Sequence, residues 1–287
     1  MSHADVSFRR FFPEDVPFAQ ELKNIAGWNQ TETDWLGYLA FEPDVCFVAE
    51  MDGKPVGTAS SIRYGDSVGW IGMVLVHPDY RRHGIGTRLL NRAIEYLRSS
   101  GTRCIKLDAT PMGKKVYVPL GFRDEYEIKR YEGVAPAGVR APSERVSVLQ
   151  RSDLPDLLEF DRNVFGADRA RVLMALSQRD PDCCFVTRRG AAITGYLITR
   201  EGHHALQVGP WAAENPAAAE DLLMAFFARV GGQRVFIDAP MVTAFAEMLM
   251  GRQGLSVQRP FTRMYLGENA QGGYPAHVYS TGGAEKG

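Results

Sequence analysis

Between positions 81 and 87 the chain reads Arg81-Arg82-His83-Gly84-Ile85-Gly86-Thr87. Gly84 and Gly86 let the backbone approach a ligand with no Cβ in the way. The stretch links an apolar run, 68–76, to an amphipathic one that begins at Ile85. At such a strand-to-helix junction the first helical N–H groups have no internal acceptor, and the helix dipole adds positive potential. A diphosphate is the ligand this arrangement suits, with Arg81 and Arg82 adding charge. It is not a P-loop, because no Gly-Lys-Ser/Thr follows. It is not a dinucleotide fingerprint either. The third spaced glycine is missing, and the preceding strands form a meander rather than a βαβ unit.

The elements that must position this loop follow from periodicity. Phe18, Leu22 and Ile25 predict a helix over 15–26, and a second, short helix covers 34–40. Strands are expected at 46–50 and 56–63, joined by a hairpin turn at Asp52-Gly53. The run 68–76 is nearly all apolar, as in a strand covered on both faces. Ile85, Leu89, Ala93 and Leu97 form one face of the next helix, which Gly101 stops. A strand at 104–108, a helix at 112–120 and a strand at 123–132 complete the unit. The pattern defines an α/β fold of the α+β kind, a mixed sheet flanked by helices.

The plan then repeats. Cys184-Phe185-Val186 matches Cys46-Phe47-Val48, Gly195 matches Gly57, Val208-Gly209-Pro210 matches Val76-His77-Pro78, Ile237-Asp238 matches Leu107-Asp108, and Gly254-Leu255 matches Gly121-Phe122. The order of matches is preserved, which indicates two copies of one fold. The expected divisions are a first domain over 1–133, a Pro/Gly/Ala-rich linker over 134–144, a second domain over 145–268 and a tail over 269–287. Tyr274, Pro275, Val278 and Tyr279 are the residues that would anchor that tail. In the second copy the loop is lost: Glu214 would repel a diphosphate, Asn215 reads as a helix cap and Pro216 as the first helical residue.

Composition bounds the function. The 287 residues carry 45% hydrophobic and 23% charged side chains and a formal net charge of -1. Apolar content that high excludes a disordered chain, and the neutral balance argues against a nucleic-acid partner. No apolar run is long enough for a bilayer, and no secretory signal is read at the start. The four cysteines lack Cys-x-x-Cys spacing and read as buried thiols, so a cytoplasmic location and no metal are expected. His203-His204 has no further ligands at metal-binding spacing. Oligomeric state is not encoded legibly.

The run Val76-His77-Pro78-x-Tyr80-Arg81-x-x-Gly84-Ile85-Gly86-x-x-Leu89-Leu90 resembles the GNAT superfamily of acyl-CoA-dependent N-acyltransferases. So does Tyr117-Val118-Pro119-Leu120-Gly121-Phe122, and the two-copy layout resembles the tandem branch with a degenerate second copy. The resemblance implies acetyl-CoA as cosubstrate, held by Arg81, Arg82, His83, Gly84, Ile85, Gly86 and Thr87, with Val74, Leu75 and Val76 offering backbone groups to its pantetheine and acetyl portions. It implies Tyr117 as the acid that protonates the departing thiolate. Trp28 and Asn29, between the first two helices, lie where the family often covers its acceptor. No motif marks a base: Asp108 reads as a helix cap, and His77 simply precedes a proline. The implied activity is acetyl transfer to the amine of a small molecule by direct attack, with no cysteine intermediate. Alternatives are a longer acyl donor, a protein acceptor, or a CoA-sensing or structural pseudoenzyme.

Overall fold

The structure is a computed structural model that describes residues 6–42, 44, 46–139, 144–269 and 273–287. Residues 140–143 of the expected linker and 270–272 of the expected tail lie outside these, as does the chain start where a signal was sought. In chain order the first half comprises β1 (Val6–Arg10), α1 (Val16–Ile25), α2 (Glu32–Phe41), β2 (Phe47–Met51), β3 (Lys54–Tyr64), β4 (Val68–Val76), α3 (Ile85–Ser99), β5 (Cys104–Ala109), α4 (Pro111–Tyr117) and β6 (Arg123–Val134). The second half comprises β7 (Val146–Val148), α5 (Leu154–Phe165), α6 (Ala170–Ser177), β8 (Phe185–Arg189), β9 (Ala192–Arg200), β10 (Leu206–Ala213), α7 (Pro216–Val230), β11 (Arg234–Pro240), α8 (Ala244–Arg252), β12 (Ser256–Gly267) and β13 (Val278–Ser280).

Local chemistry accounts for several boundaries. Asp52 and Gly53 both take positive φ, 51° and 75°, as a two-residue turn between Met51 and Lys54 demands. Asn215 caps α7 by accepting from the Ala218 amide at 3.0 Å, and Pro216 opens the helix. α3 buries Ile85, Leu89, Leu90, Ala93, Ile94 and Leu97 along one stripe.

Among the described residues the two halves share one 13-stranded sheet in the order β1-β2-β3-β4-β5-β12-β6-β11-β10-β9-β8-β7, with β13 joined to β10. The last long strand of each half is therefore exchanged. β12 lies between β5 and β6, and β6 lies between β12 and β11. β6 and β12 run antiparallel and have the same burial profile along all 12 residues, as two equivalent strands about a local two-fold must. The expected division at 133 follows the chain but not the sheet. Ala135, in the expected linker, is likewise tied to the second half through Gln233 and Gly232.

Two buried ion pairs pin the exchange. Arg130 of β6 grips Asp238 of β11 with both carboxylate oxygens, at 2.6 and 2.7 Å. Arg263 of β12 grips Asp108 of β5 in the same way, at 2.8 and 2.9 Å. The four side chains are equivalent by the internal repeat. Asp108 is thus no helix cap: Thr110 caps α4 instead, its hydroxyl accepting from the Gly113 amide at 3.1 Å.

Among the described residues apolar packing falls into three clusters. One lies under α3, with Ile71, Ile105 and Leu107 from the sheet. One lies under α7 and α8, with Val208, Val235 and Ile237. The third is central and common to both halves: Trp35, Tyr38 and Trp70 meet Leu157, Val172 and Tyr196. Segment 281–287 is buried beside this centre rather than forming a loose end. Glu285 meets Arg200 and Gln30, each at 2.7 Å, and the Lys286 ammonium meets Asp34 at 3.0 Å.

Because each exchanged strand belongs to the other half's sheet, unfolding is expected to be one cooperative transition. Arg130→Ala leaves Asp238 buried and uncompensated, so it should cost about 3–5 kcal/mol in denaturant unfolding while keeping a single transition. Two separated transitions in the parent protein would contradict the exchanged sheet.

Candidate acyl-CoA site

β4 and β5 are parallel neighbours only from Val68 to Trp70, opposite Cys104 to Lys106. β4 continues to Val76 paired on its other edge with β3, and β5 continues to Ala109 paired with β12. The two strands therefore part after Trp70 and Lys106, leaving a wedge whose walls are backbone. Along that wall β4 carries a bulge. Thr58 faces Leu75 but Ser60 faces Gly72, so β4 has one residue too many. Met73 absorbs it at φ 51°, a conformation rare for a non-glycine residue. The Thr58 hydroxyl holds the bulge by donating to the Met73 carbonyl at 2.9 Å. The bulge takes Met73 and Val74 out of the ladder with β3, and Leu75 and Val76 then pair again with Thr58 and Gly57 beside the open edge.

The Gly-rich loop stands at the mouth of this wedge. A short 3-10 turn, Pro78–Tyr80, leads into it. Arg81 folds back, its Nε donating to the Val76 carbonyl at 3.0 Å, while Arg82 (φ 66°) and His83 are exposed. Gly84 caps α3 at φ 72°, with open space where a Cβ would stand. The first amide to find a carbonyl in the helix is that of Arg88, on Gly84 at 3.0 Å. The amides of Ile85, Gly86 and Thr87 are left facing out of the helix start. A diphosphate fits this cradle: no side chain fills it, and dipole, amides and Arg82 all favour negative charge.

Tyr117 ends α4, across the wedge mouth from α3. Its ring folds back over Gly113, where a Cβ would lie 3.0 Å from Cε2 and 3.2 Å from the hydroxyl, and it packs on Phe122 with ring centres 6.0 Å apart. Burial pushes its phenol up to about 12, so it is protonated at neutral pH. Asp108 has both oxygens engaged by Arg263, while His77 accepts weakly from the Asp79 amide at 3.4 Å. The four cysteines are buried and unbridged, and burial pushes Cys46, Cys183 and Cys184 each up to about 12.

Trp28 and Asn29 are placed differently. Trp28 packs against the central cluster. Asn29 is buried and turned to the second half: its Nδ2 donates to the Ala205 carbonyl at 3.0 Å, and its Oδ1 accepts from the amides of His204 and Ala205. That side chain is occupied in joining the halves. Sequence reasoning also missed the exchanged Arg–Asp pairs, the Met73 bulge and segment 281–287. Only the matched positions of Asp108 and Asp238 hinted at the first.

The second copy has the same wedge, but it is filled. β10 and β11 are parallel from Leu206 to Val208, opposite Val235 to Ile237, and then part. β13 lies in the gap, with Trp211 opposite Ser280 and Ala212 opposite Val278. Ser280 stitches both walls, donating to the Val208 carbonyl at 2.7 Å and accepting from the Asp238 amide at 3.1 Å. At the wedge mouth Glu214 pairs with Arg189 and Asn215 caps α7, so no glycine loop precedes this helix.

A mixed sheet with a parted strand pair and an amide cradle at its mouth is the architecture of an acyl-CoA N-acyltransferase, and comparison with known proteins agrees. Residues 9–122 match the Acetyltransferase (GNAT) family and residues 157–280 match an Acetyltransferase (GNAT) domain; the chain belongs to the GNAT acetyltransferases, in tandem form. It is 27% identical over 262 residues to the holothin acyltransferase of a Pseudoalteromonas species, covering 90% of this chain and 87% of that one. The crystal structure of a Pyrococcus horikoshii protein superposes with TM-score 0.84 at 25% identity, covering 100% and 98% of the two chains. A tandem GNAT protein from the clavulanic acid pathway shares the fold, with TM-score 0.64 at 14% identity over 92% of this chain and 98% of that one. By class the chain is an acyl-CoA-dependent N-acetyltransferase. Among the described residues no cluster suits a metal ion, and no helix is long and apolar enough to cross a membrane.

Thr58→Val tests the bulge. It leaves the Met73 carbonyl buried without its donor, and should cost about 1–3 kcal/mol in denaturant unfolding. An unchanged stability would mean that the bulge does not depend on this bond.

Proposed function

We propose that the chain transfers the acetyl group of acetyl-CoA to the amine of a small molecule, within a ternary complex and at one site per chain. The observation that carries this reading is the contrast between the two wedges. The first is bare and has the Gly84–Gly86 cradle at its mouth, whereas the second is filled by β13 and has lost the loop. In this reading the amides of Ile85, Gly86 and Thr87, with Arg81, Arg82 and His83 around them, receive the diphosphate. Val74, Leu75 and Val76 offer backbone groups to the pantetheine and to the thioester carbonyl, where negative charge develops during attack.

The chemistry then needs little more. The amine nitrogen attacks the thioester carbon, a C–N bond forms, and the C–S bond breaks. Tyr117 gives its phenolic proton to the departing thiolate; the attacking nitrogen releases one proton to solvent, and the Tyr117 phenolate takes one back from solvent. A phenol pushed up to about 12 keeps its proton, and is neutral, at physiological pH, so the proton is present when the thiolate departs. Cys104 lies buried in β5, which favours direct attack over an acyl-cysteine.

Calorimetric titration with acetyl-CoA should give one site per chain in the parent and none in Gly84→Glu, which sets a carboxylate in the cradle. With a competent amine, Tyr117→Phe should lower kcat by about 10²–10⁴-fold and leave acetyl-CoA binding intact. Unchanged turnover would remove Tyr117 from the mechanism, and failure of the parent to bind would overturn the function.

A further inference from the structure

A cleft of about 630 Å3 opens at the apex of the first wedge. Trp70 and Lys106, the last paired residues of β4 and β5, stand in its floor. Ile105 and Leu107 point to α3, so Lys106 between them points to the opposite face of the sheet. The cleft therefore reaches the parting strands from the side away from α3. The floor continues across the exchanged strands, through Tyr265 of β12, paired with Lys106, and Tyr126 of β6, paired with Arg263. The second half lines the rest, through Phe165 at the end of α5 and the Tyr274–His277 stack before β13. Neither part is complete without the strand exchange and the segment before β13.

We propose that this cleft is the acceptor site and that it selects a small, uncharged aromatic or heteroaromatic amine. The inference rests on the acetyl-transfer reading for the reaction, but its chemistry comes from the lining. Phe165, Tyr126, Tyr265 and Tyr274 bring at least partly exposed aromatic residues to one cleft, which suits a flat ring packed among them. The volume is that of a small-molecule pocket. Its cations are already neutralised: Lys106 by Glu125 at 2.8 Å, Arg169 by Asp161 and Arg263 by Asp108, each at 2.8 Å. Among the described residues a phosphorylated or carboxylated acceptor would find no unpaired lysine or arginine there, and the Asp124 and Glu125 carboxylates are themselves tied to lysines, which disfavours a polyamine. The placement also differs from the α1–α2 loop, whose Asn29 is held by the second half.

The test compares four acceptors under saturating acetyl-CoA: an arylamine such as 4-aminophenol or 2-aminothiazole, putrescine, glucosamine 6-phosphate and a lysyl peptide. The arylamine should have the lowest KM by about tenfold or more. Tyr274 is 62% exposed, so its truncation spares the fold. Tyr274→Ala should raise the arylamine KM about 5- to 20-fold and leave the acetyl-CoA KM unchanged. The same arylamine is titrated directly into the protein without acetyl-CoA, where Tyr274→Ala should weaken binding by the same factor. Preference for the peptide, the polyamine or the phosphosugar would overturn the proposal. So would an arylamine KM that Tyr274→Ala does not move. Failure of the transfer reading shows separately, as absence of acetyl-CoA binding while the direct arylamine titration still responds to Tyr274→Ala.

Discussion

Everything in this molecule depends on two buried arginines that each hold an aspartate of the opposite half. Arg130 with Asp238 and Arg263 with Asp108 are the same pair made twice, and each fixes an exchanged strand against its new neighbour. Burial of four charges is tolerable only because each guanidinium meets both oxygens of its carboxylate. Arg263 has a second neighbour, the Trp70 ring, with its guanidinium carbon 4.5 Å from the ring centre at the apex of the first wedge. The bond that joins the halves therefore also shapes the floor beneath the reacting groups. It also removes Asp108 from consideration as a base, although a strand-end carboxylate beside a parted strand pair has the right address for one.

Duplication gave two wedges and the chain uses them differently. The first keeps backbone edges, a bulge and an amide cradle. The second receives β13, whose main-chain bonds to β10 occupy the edge that a ligand would otherwise meet. Beyond β13 the segment runs on into the first half, where Glu285 lies against Gly72 so closely that a Cβ there would be 2.9 Å from its backbone. The opposite charges of Asp34, Arg200, Glu285 and Lys286 make that burial affordable, and attraction to the neighbouring cations holds the Asp34 and Glu285 carboxyls below their ordinary range. The second half is thus a filled copy that walls and braces the first.

Much of this was legible in the sequence, for a physical reason in each case. Local rules are written locally: the Asp52-Gly53 turn, the Asn215-Pro216 helix start and the Gly84–Gly86 junction each follow from one or two residues' conformational freedom. The repeat was legible because equivalent strands keep their inward-facing residues. The exchange was not. A strand with a given alternation pairs as well with the other half's sheet as with its own, and only the matched Asp108 and Asp238 carried a trace of it. The burial of segment 281–287 was not legible because Glu285 and Lys286 find their partners roughly 85 to 255 positions away. The same distance hid the fate of Asn29, whose partners Ala205 and His204 lie in the other half.

The central claim is that one wedge is open to acyl-CoA and the other is closed by the chain itself. Amide hydrogen exchange with and without acetyl-CoA reads both at once. The account predicts slower exchange for the amides at 73–76 and 84–87 on binding, with those at 208–213 and 278–280 protected beforehand and unchanged by it. Ligand-dependent protection at 208–213, or release of 278–280, would show acyl-CoA entering the second wedge and contradict the account.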